Sequence, residues 1–199
     1  VVAYEGLELL LEALVQLKHG GQVFHFVVVG DGKVINDVQK RATALGIEQH
    51  CRFTGRVSFD QVPRYLSCMD IMPIPRLSSA VTEMVSALKP LEAMAMGKAV
   101  VLSDVAPHKV MAGYNERARL FTKGSAEDLC SVLQTLIADP EERQRLGRAA
   151  RDWIEQERTW NHVTRIYGEA LQRVRTEARS PRTAVEPGAI KRLEHITLG

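Results

Sequence analysis

At 199 residues and 45% apolar, the chain is long enough to bury one good-sized core, which fits a single domain followed by a tail. Lysine and arginine number 26 against 24 acidic residues, and this net +2 gives no electrostatic case for nucleic acid or an anionic membrane surface. Three scattered cysteines (Cys51, Cys68, Cys130) and six dispersed histidines lack paired-ligand spacing, which argues against a disulfide framework or zinc site and fits a reducing cytosol. No run reaches the length of a membrane span and no signal peptide is visible. The chain opens on Val1 without a Met and reads as a piece of a longer protein.

Glu5 to Lys18 reads as an amphipathic helix, with Leu7, Leu10, Leu11 and Leu14 at helical spacing and Gly20-Gly21 as its stop. Phe24 to Val29 follows as a strand, apolar apart from His25, and ends in the tight turn Gly30-Asp31-Gly32. A dinucleotide fingerprint needs Gly or Ala at position 35, where Ile35 stands, and no acidic residue marks a following strand tip. Val34 to Leu45 is a second helix, stopped by Gly46. Cys51 to Thr54 is a short strand ending at Gly55-Arg56-Val57. Ser58 and Gln61 read as a capping box for a helix over Phe59 to Leu66. Asp70 to Pro75 is the next buried strand, and Arg76 to Thr82, rich in Ser and Thr, is a loop leading to Glu83.

The stretch Glu83 to Leu102 reads as loop, short helix and buried strand. Pro90 suits the first helical position because its missing N–H has no partner there, and Gly97 suits the left-handed stop. Ala99 to Leu102 is the apolar run of a parallel strand covered on both faces. A helix opening at the ligand edge of such a sheet offers free N–H groups, here over Leu88 to Leu91, to an anion such as a diphosphate. Glu83 before that opening and Glu92 in its first turn bracket it, and each can accept hydrogen bonds from sugar hydroxyls. Taken singly, Glu92 is equally a capping residue favoured by the helix dipole, and Glu83 a solvated loop charge.

Beyond this stretch, Ser103-Asp104-Val105 ends the strand, and Pro107 to Met111 starts a short helix in which His108 reads as structural. Arg119 to Thr122 is a last strand, turned by Lys123-Gly124. Ser125 and Asp128 cap a helix with Leu129, Leu133, Leu136 and Ile137 inward. Asp139-Pro140-Glu141-Glu142 opens another helix with an apolar face of Leu146, Ala150, Trp153 and Ile154. Thr159-Trp160 opens a final one carrying Val163, Ile166, Tyr167, Ala170, Leu171 and Val174. The domain is expected over residues 1–175 and a polar, flexible tail over 176–199, with order returning at most over Ala189 to His195. Helices alternating with short apolar strands specify an α/β fold, a doubly wound parallel sheet with helices on both faces, whose ligands lie at the carboxyl ends of the strands.

The run Glu92-Ala-Met-Ala-Met-Gly-Lys-Ala-Val100 resembles the signature of retaining glycosyltransferases of the GT-B fold, the large group 1 (family 4) class. That signature is Glu, seven residues, then Glu-Ala-Met-Ala-x-Gly-x-Pro/Ala-Val. Here eight residues, Met84 to Leu91, separate the glutamates, a variant shared by relatives with a Leu-Lys-Pro-Leu-Glu run. The resemblance covers Tyr4 to Val174 and implies the Rossmann-like, donor-binding half of an enzyme that transfers a sugar from a nucleotide diphosphate with retention. By this likeness Glu92 holds ribose hydroxyls and Glu83, the candidate catalytic residue, holds hydroxyls of the donor sugar. Leu88, Lys89, Pro90 and Leu91 hold the diphosphate, Gly30 and Gly32 lie near the donor, and Gly55 and Val57 read the base through their backbones. Family members carry an Arg and a Lys as phosphate clamp before the first helix. Here Glu5 occupies the place of the Lys, so Lys89 is the expected replacement, unless it is merely a solvated surface lysine.

No Asp-x-Asp motif is present, and the resemblance implies no metal and no cofactor beyond the nucleotide-diphosphate sugar as substrate. It also implies a cytoplasmic or membrane-peripheral enzyme whose acceptor-binding domain lies outside this chain and whose acceptor is unnamed. Two rivals stand beside it: a GT-B epimerase or phosphorylase, and a non-catalytic α/β module in which both glutamates are surface charges. In the family a strand preceding Tyr4 lies mid-sheet, between Phe24–Val29 and Asp70–Pro75. Its slot is therefore expected to hold a stub, to close up, or to take a strand from another chain in a swapped oligomer.

Overall fold

The computed structural model describes residues 1–179. The chain divides into two compact units between Gln156 and Glu157. In the first, helices and strands alternate: α1 (Leu7–His19), β1 (Phe26–Val28), α2 (Ile35–Ala44), β2 (Cys51–Phe53), α3 (Val62–Ser67), β3 (Ile71–Ile74), α4 (Ala80–Met84), α5 (Lys89–Ala95), β4 (Ala99–Ser103), α6 (Ala106–Ala112), β5 (Arg119–Phe121), α7 (Ala126–Ala138) and α8 (Pro140–Glu157). The second contains α9 (Trp160–Arg179), whose first turn is capped by the Thr159 hydroxyl accepting from His162 N–H at 3.3 Å. Residues 176–179, expected in the tail, are helical, and the remainder of the expected tail lies outside the described residues.

All strand pairs are parallel, and β4 shows why helices cover both faces. Its five residues are all buried. Successive side chains of a strand point to opposite faces. Val101 joins the core formed by Leu10, Leu11, Leu14 and Leu17 of α1, Val38 and Ala42 of α2, and Leu129, Leu133 and Leu136 of α7. Val100 and Leu102 join the other, with Ala93 and Met94 of α5, Met111 of α6, and Ala150, Trp153 and Ile154 of α8. Each fully buried Leu or Met contributes roughly 1.5–3 kcal/mol, so these two layers supply most of the stability that fixes the strand ends.

The sheet is interrupted. β1 pairs only with β2, β3–β4–β5 form a separate ladder, and no described strand joins β1 to β3. The two halves still share a core, since Phe26 and Phe53 of one pack on the same cluster as Ile71, Val101 and Phe121 of the other. At the carboxyl end the chain itself spans the break. The Val1 amino group donates to Asp31 O beyond β1, and Leu77 N–H beyond β3 donates to Tyr4 O at 2.8 Å. Val1 to Tyr4 thus run from the end of β1 to the end of β3, with Ala3–Glu5 wound as a 3₁₀ turn. So the slot lies where the sequence placed it. It has not closed, and the N-terminal residues reach only its end without forming a strand. β3 and β1 are accordingly only half-buried along most of their length, unlike β4.

Three local expectations are corrected. α1 starts at Leu7 because Gly6, at φ 72°, turns the chain so tightly that a Cβ there would lie 1.9 Å from Pro75 O. Ser58 makes no capping bond, because a 3₁₀ turn over Phe59–Gln61 satisfies Gln61 N–H with Ser58 O at 3.0 Å instead. Pro90 is the second residue of α5, after Lys89. The stop at Gly97 stands as expected, with φ 65° and Lys98 N–H donating to Ala93 O at 3.0 Å.

Candidate functional site

The carboxyl ends of β3, β4 and β5, with the turns that follow them, assemble one polar cluster. The Ser/Thr-rich segment after β3 is not an open loop: it folds into α4 through a capping box. Thr82 N–H donates to the Ser79 hydroxyl at 3.2 Å, Ser79 N–H donates to the Thr82 hydroxyl at 2.8 Å, and that hydroxyl donates to Leu77 O at 2.7 Å. Thr82 is fully buried, so α4 presents Glu83 from a fixed position.

Both Glu83 oxygens are engaged. Oε1 accepts from the Lys123 ammonium and from the Ser78 hydroxyl, each at 2.6 Å, while Oε2 accepts from Ala106 N–H at 2.9 Å. These bonds, Lys123 first, hold the Glu83 carboxyl down to about 2. A carboxylate offers about four acceptor positions, so roughly one remains for a ligand hydroxyl. The same cluster includes Asp104, which accepts from Lys123 N–H at 2.9 Å and pairs with Lys109 at 3.3 Å. Along the sequence Lys123 reads only as a turn residue, because it lies 40 residues from Glu83 and the β3–β4–β5 pairing brings them together.

Glu92 differs from Glu83. It is exposed in the first turn of α5, and its carboxylate makes no hydrogen bond or ion pair among the described residues. The first helical bond of α5 runs from Glu92 N–H to Leu88 O at 3.1 Å, so the Lys89 and Leu91 N–H groups lack a helical partner and Pro90 has none to offer. Leu88 is 73% exposed at this opening, whereas Pro90 is buried and Leu91 packs on the α5–α6–α8 core. The Lys89 ammonium is ion-paired with Glu5, the acid that stands where a phosphate-clamping lysine was expected.

At the ends of the other two strands, Gly30 and Gly55 meet. Gly30 N–H donates to Gly55 O at 3.1 Å, and the Thr54 hydroxyl donates to Gly55 O at 2.9 Å. Val57 is half-buried beyond them, and Gly32 is exposed, with the Val1 backbone standing where a Cβ would go. The structure therefore brings Glu83 together with Lys123 and Asp104, Lys89 with Glu5, and Gly30 with Gly55.

Behind the cluster lie His108 and Arg76, both buried. His108 Nδ1–H donates to Ser103 O at 3.0 Å, which leaves Nε2 as a lone-pair nitrogen with no partner among the described residues. Burial first, with the Arg76 charge adding to it, pushes this imidazole down to about 4. Among the described residues there is no group of three or more potential metal-ligating side chains, and no helix is long and apolar enough to cross a membrane.

Residues 1–153 match the family model described as glycosyl transferases group 1. A GDP-mannose-dependent alpha-(1-6)-phosphatidylinositol monomannoside mannosyltransferase of Mycobacterium tuberculosis is 26% identical over 165 residues, covering 81% of this chain and 42% of its own length. The chain thus spans about two fifths of that curated relative. Among solved structures, Alr3699/HepE from Anabaena in complex with UDP-glucose superposes with a TM-score of 0.75 at 21% identity, over 86% of this chain and 46% of that one. The C-terminal domain of a glycosyl transferase group 1 family protein (LpcC) from Francisella tularensis gives a TM-score of 0.67 at 18% identity, over 80% and 83% respectively. At these identities the structural likeness shows the fold.

Proposed function

The chain belongs to the group 1 glycosyltransferase family, and from that premise we propose that it is the donor-binding half of a retaining glycosyltransferase of GT-B architecture. It takes a nucleotide-diphosphate sugar as substrate and needs no cofactor of its own. The acceptor side is completed by a domain outside residues 1–199. The observation that carries this reading is Glu92: an exposed carboxylate with no partner among the described residues, in the first turn of α5. There it is free to accept two ribose hydroxyls, and charge-assisted bonds of this kind are the strong ones. The remaining acceptor position of Glu83 meets a hydroxyl of the donor sugar. Leu88 to Leu91 border the diphosphate, and the backbones around Gly30, Gly55 and Val57 border the base. The curated mannosyltransferase is named as GDP-mannose-dependent and the Anabaena structure holds UDP-glucose, so both nucleotides belong in the test.

The gap between β1 and β3 fits the same reading, as the seat of one more parallel strand. Chain outside residues 1–199 supplies it, or a second copy does so in a swapped oligomer when the domain stands alone. A thermal-shift series with UDP, GDP and ADP sugars tests the donor site. One nucleotide class at a hundred times its Kd is expected to raise the midpoint by roughly 5–10 °C. No shift with any of them would leave a non-catalytic α/β module.

A further inference from the structure

The cations around the carboxyl ends of β3, β4 and β5 are unequal in one respect. Lys89 is paired with Glu5, Lys109 with Asp104, and Lys123 with Glu83. Arg76 has no carboxylate partner among the described residues, although it is only 8% exposed. Its place is fixed by the fold: it follows β3 after Pro75, and its carbonyl accepts the Ser103 hydroxyl from the end of β4 at 2.7 Å. Its guanidinium lies over the Tyr4 ring at 5.4 Å from the centroid, and Nη1 donates to Val85 O at 2.7 Å, just ahead of α5.

A guanidinium carries five N–H donors, and a single hydrogen bond accounts for one of them here. His108 Nε2 is the one polar side-chain atom sealed from solvent without a partner among the described residues. Nε and Nη2 of Arg76 also lack hydrogen-bond partners among the described residues but are not sealed from solvent as Nε2 of His108 is. A cation held largely out of water without a counter-charge is costly, and one backbone carbonyl with an aromatic face offsets only part of that cost. A planar fork with unpartnered donors matches the geometry of phosphate oxygens, and this one follows the carboxyl end of β3.

We propose that Arg76 binds the diphosphate of the nucleotide donor, a role that Glu5, standing where a lysine is expected, cannot fill and that Lys89, already paired, fills only in part. This rests on the nucleotide-sugar reading of the site. Its chemical content is separate: Arg76 recognises the anion, whereas Glu92 recognises the ribose.

The test is calorimetric titration of the chain with UDP against uridine and GDP against guanosine, for the parent, Arg76→Met and Arg76→Lys. The parent is expected to prefer the diphosphate. In Arg76→Met, affinity for the diphosphate is expected to fall at least about tenfold with nucleoside affinity unchanged. Arg76→Lys keeps the charge and stem but loses the fork, and should lie between the two. It also answers the question if Arg76→Met fails to fold. Equal losses for nucleoside and diphosphate in the variant that folds would reduce Arg76 to a packing role and overturn the proposal. So would an undiminished diphosphate preference. A parent that binds no diphosphate better than its nucleoside would overturn the donor-site reading itself, and this inference with it.

Discussion

Mild acid should destabilise this domain through one side chain, His108. Its ring is fully buried, Nδ1–H is committed to Ser103 O, and Nε2 has no acceptor for a second proton. Protonation therefore creates a buried donor with nothing to bond. The folded protein holds the imidazole at about 4 against an ordinary 6.5, with Arg76 adding to the effect of burial and Glu83 opposing it. Because the folded value is the lower, the unfolded chain binds the proton first. Stability is complete above 6.5 and declines as the pH falls from there towards 4. At 1.36 kcal/mol per pH unit, the loss is about 2–3 kcal/mol by pH 4.5. Urea unfolding at pH 7 and 4.5 of the parent and His108→Leu isolates it, since Glu83, Asp104 and Glu142 titrate alike in both. The variant loses the bond to Ser103 O at both pH values, about 1 kcal/mol, but should lack the extra acid sensitivity. If the parent loses no more stability than His108→Leu between the two pH values, His108 is not the buried neutral base described.

Two further outcomes concern packing. Gly147→Ala would place a Cβ 2.0 Å from Gly97 O, where α8 crosses the end of α5 backbone to backbone, and is expected to destabilise by more than about 2 kcal/mol in urea unfolding. Hydrogen exchange on the isolated chain should show β4 amides far better protected than those of Phe26–Val28 and Ile71–Ile74, whose facing edges lack a partner strand. Equal protection of all three in a concentration-independent monomer would mean the gap closes in solution.

What the sequence made legible was local. Leucine spacing in α1, the Ser125 cap accepting from Asp128 N–H, the Asp139 cap accepting from Glu142 N–H, and the left-handed stop at Gly97 depend on neighbours within a turn or two. The slot between β1 and β3 was also legible, because the family pattern places a strand ahead of Tyr4. The charge pairing of the site was not. Lys89 finds Glu5 across 84 residues, and Lys123 finds Glu83 across 40. These meetings are set by strand order and register rather than by spacing along the chain. Arg76 sat in a stretch read as loop, since nothing local announces that Tyr4 and Val85 will fold over it.

The central claim is that Glu92 is the ribose acceptor of a nucleotide-sugar site, and one comparison addresses it most directly: calorimetric titration of the parent chain and Glu92→Ala with the nucleoside diphosphate that stabilises the parent. The account predicts saturable binding by the parent and a loss of roughly 1–3 kcal/mol in the variant, the scale of two charge-assisted hydrogen bonds. Because Glu92 is exposed and unpaired among the described residues, the variant should fold with its stability nearly unchanged. Unchanged nucleotide affinity in a folded Glu92→Ala would contradict the account.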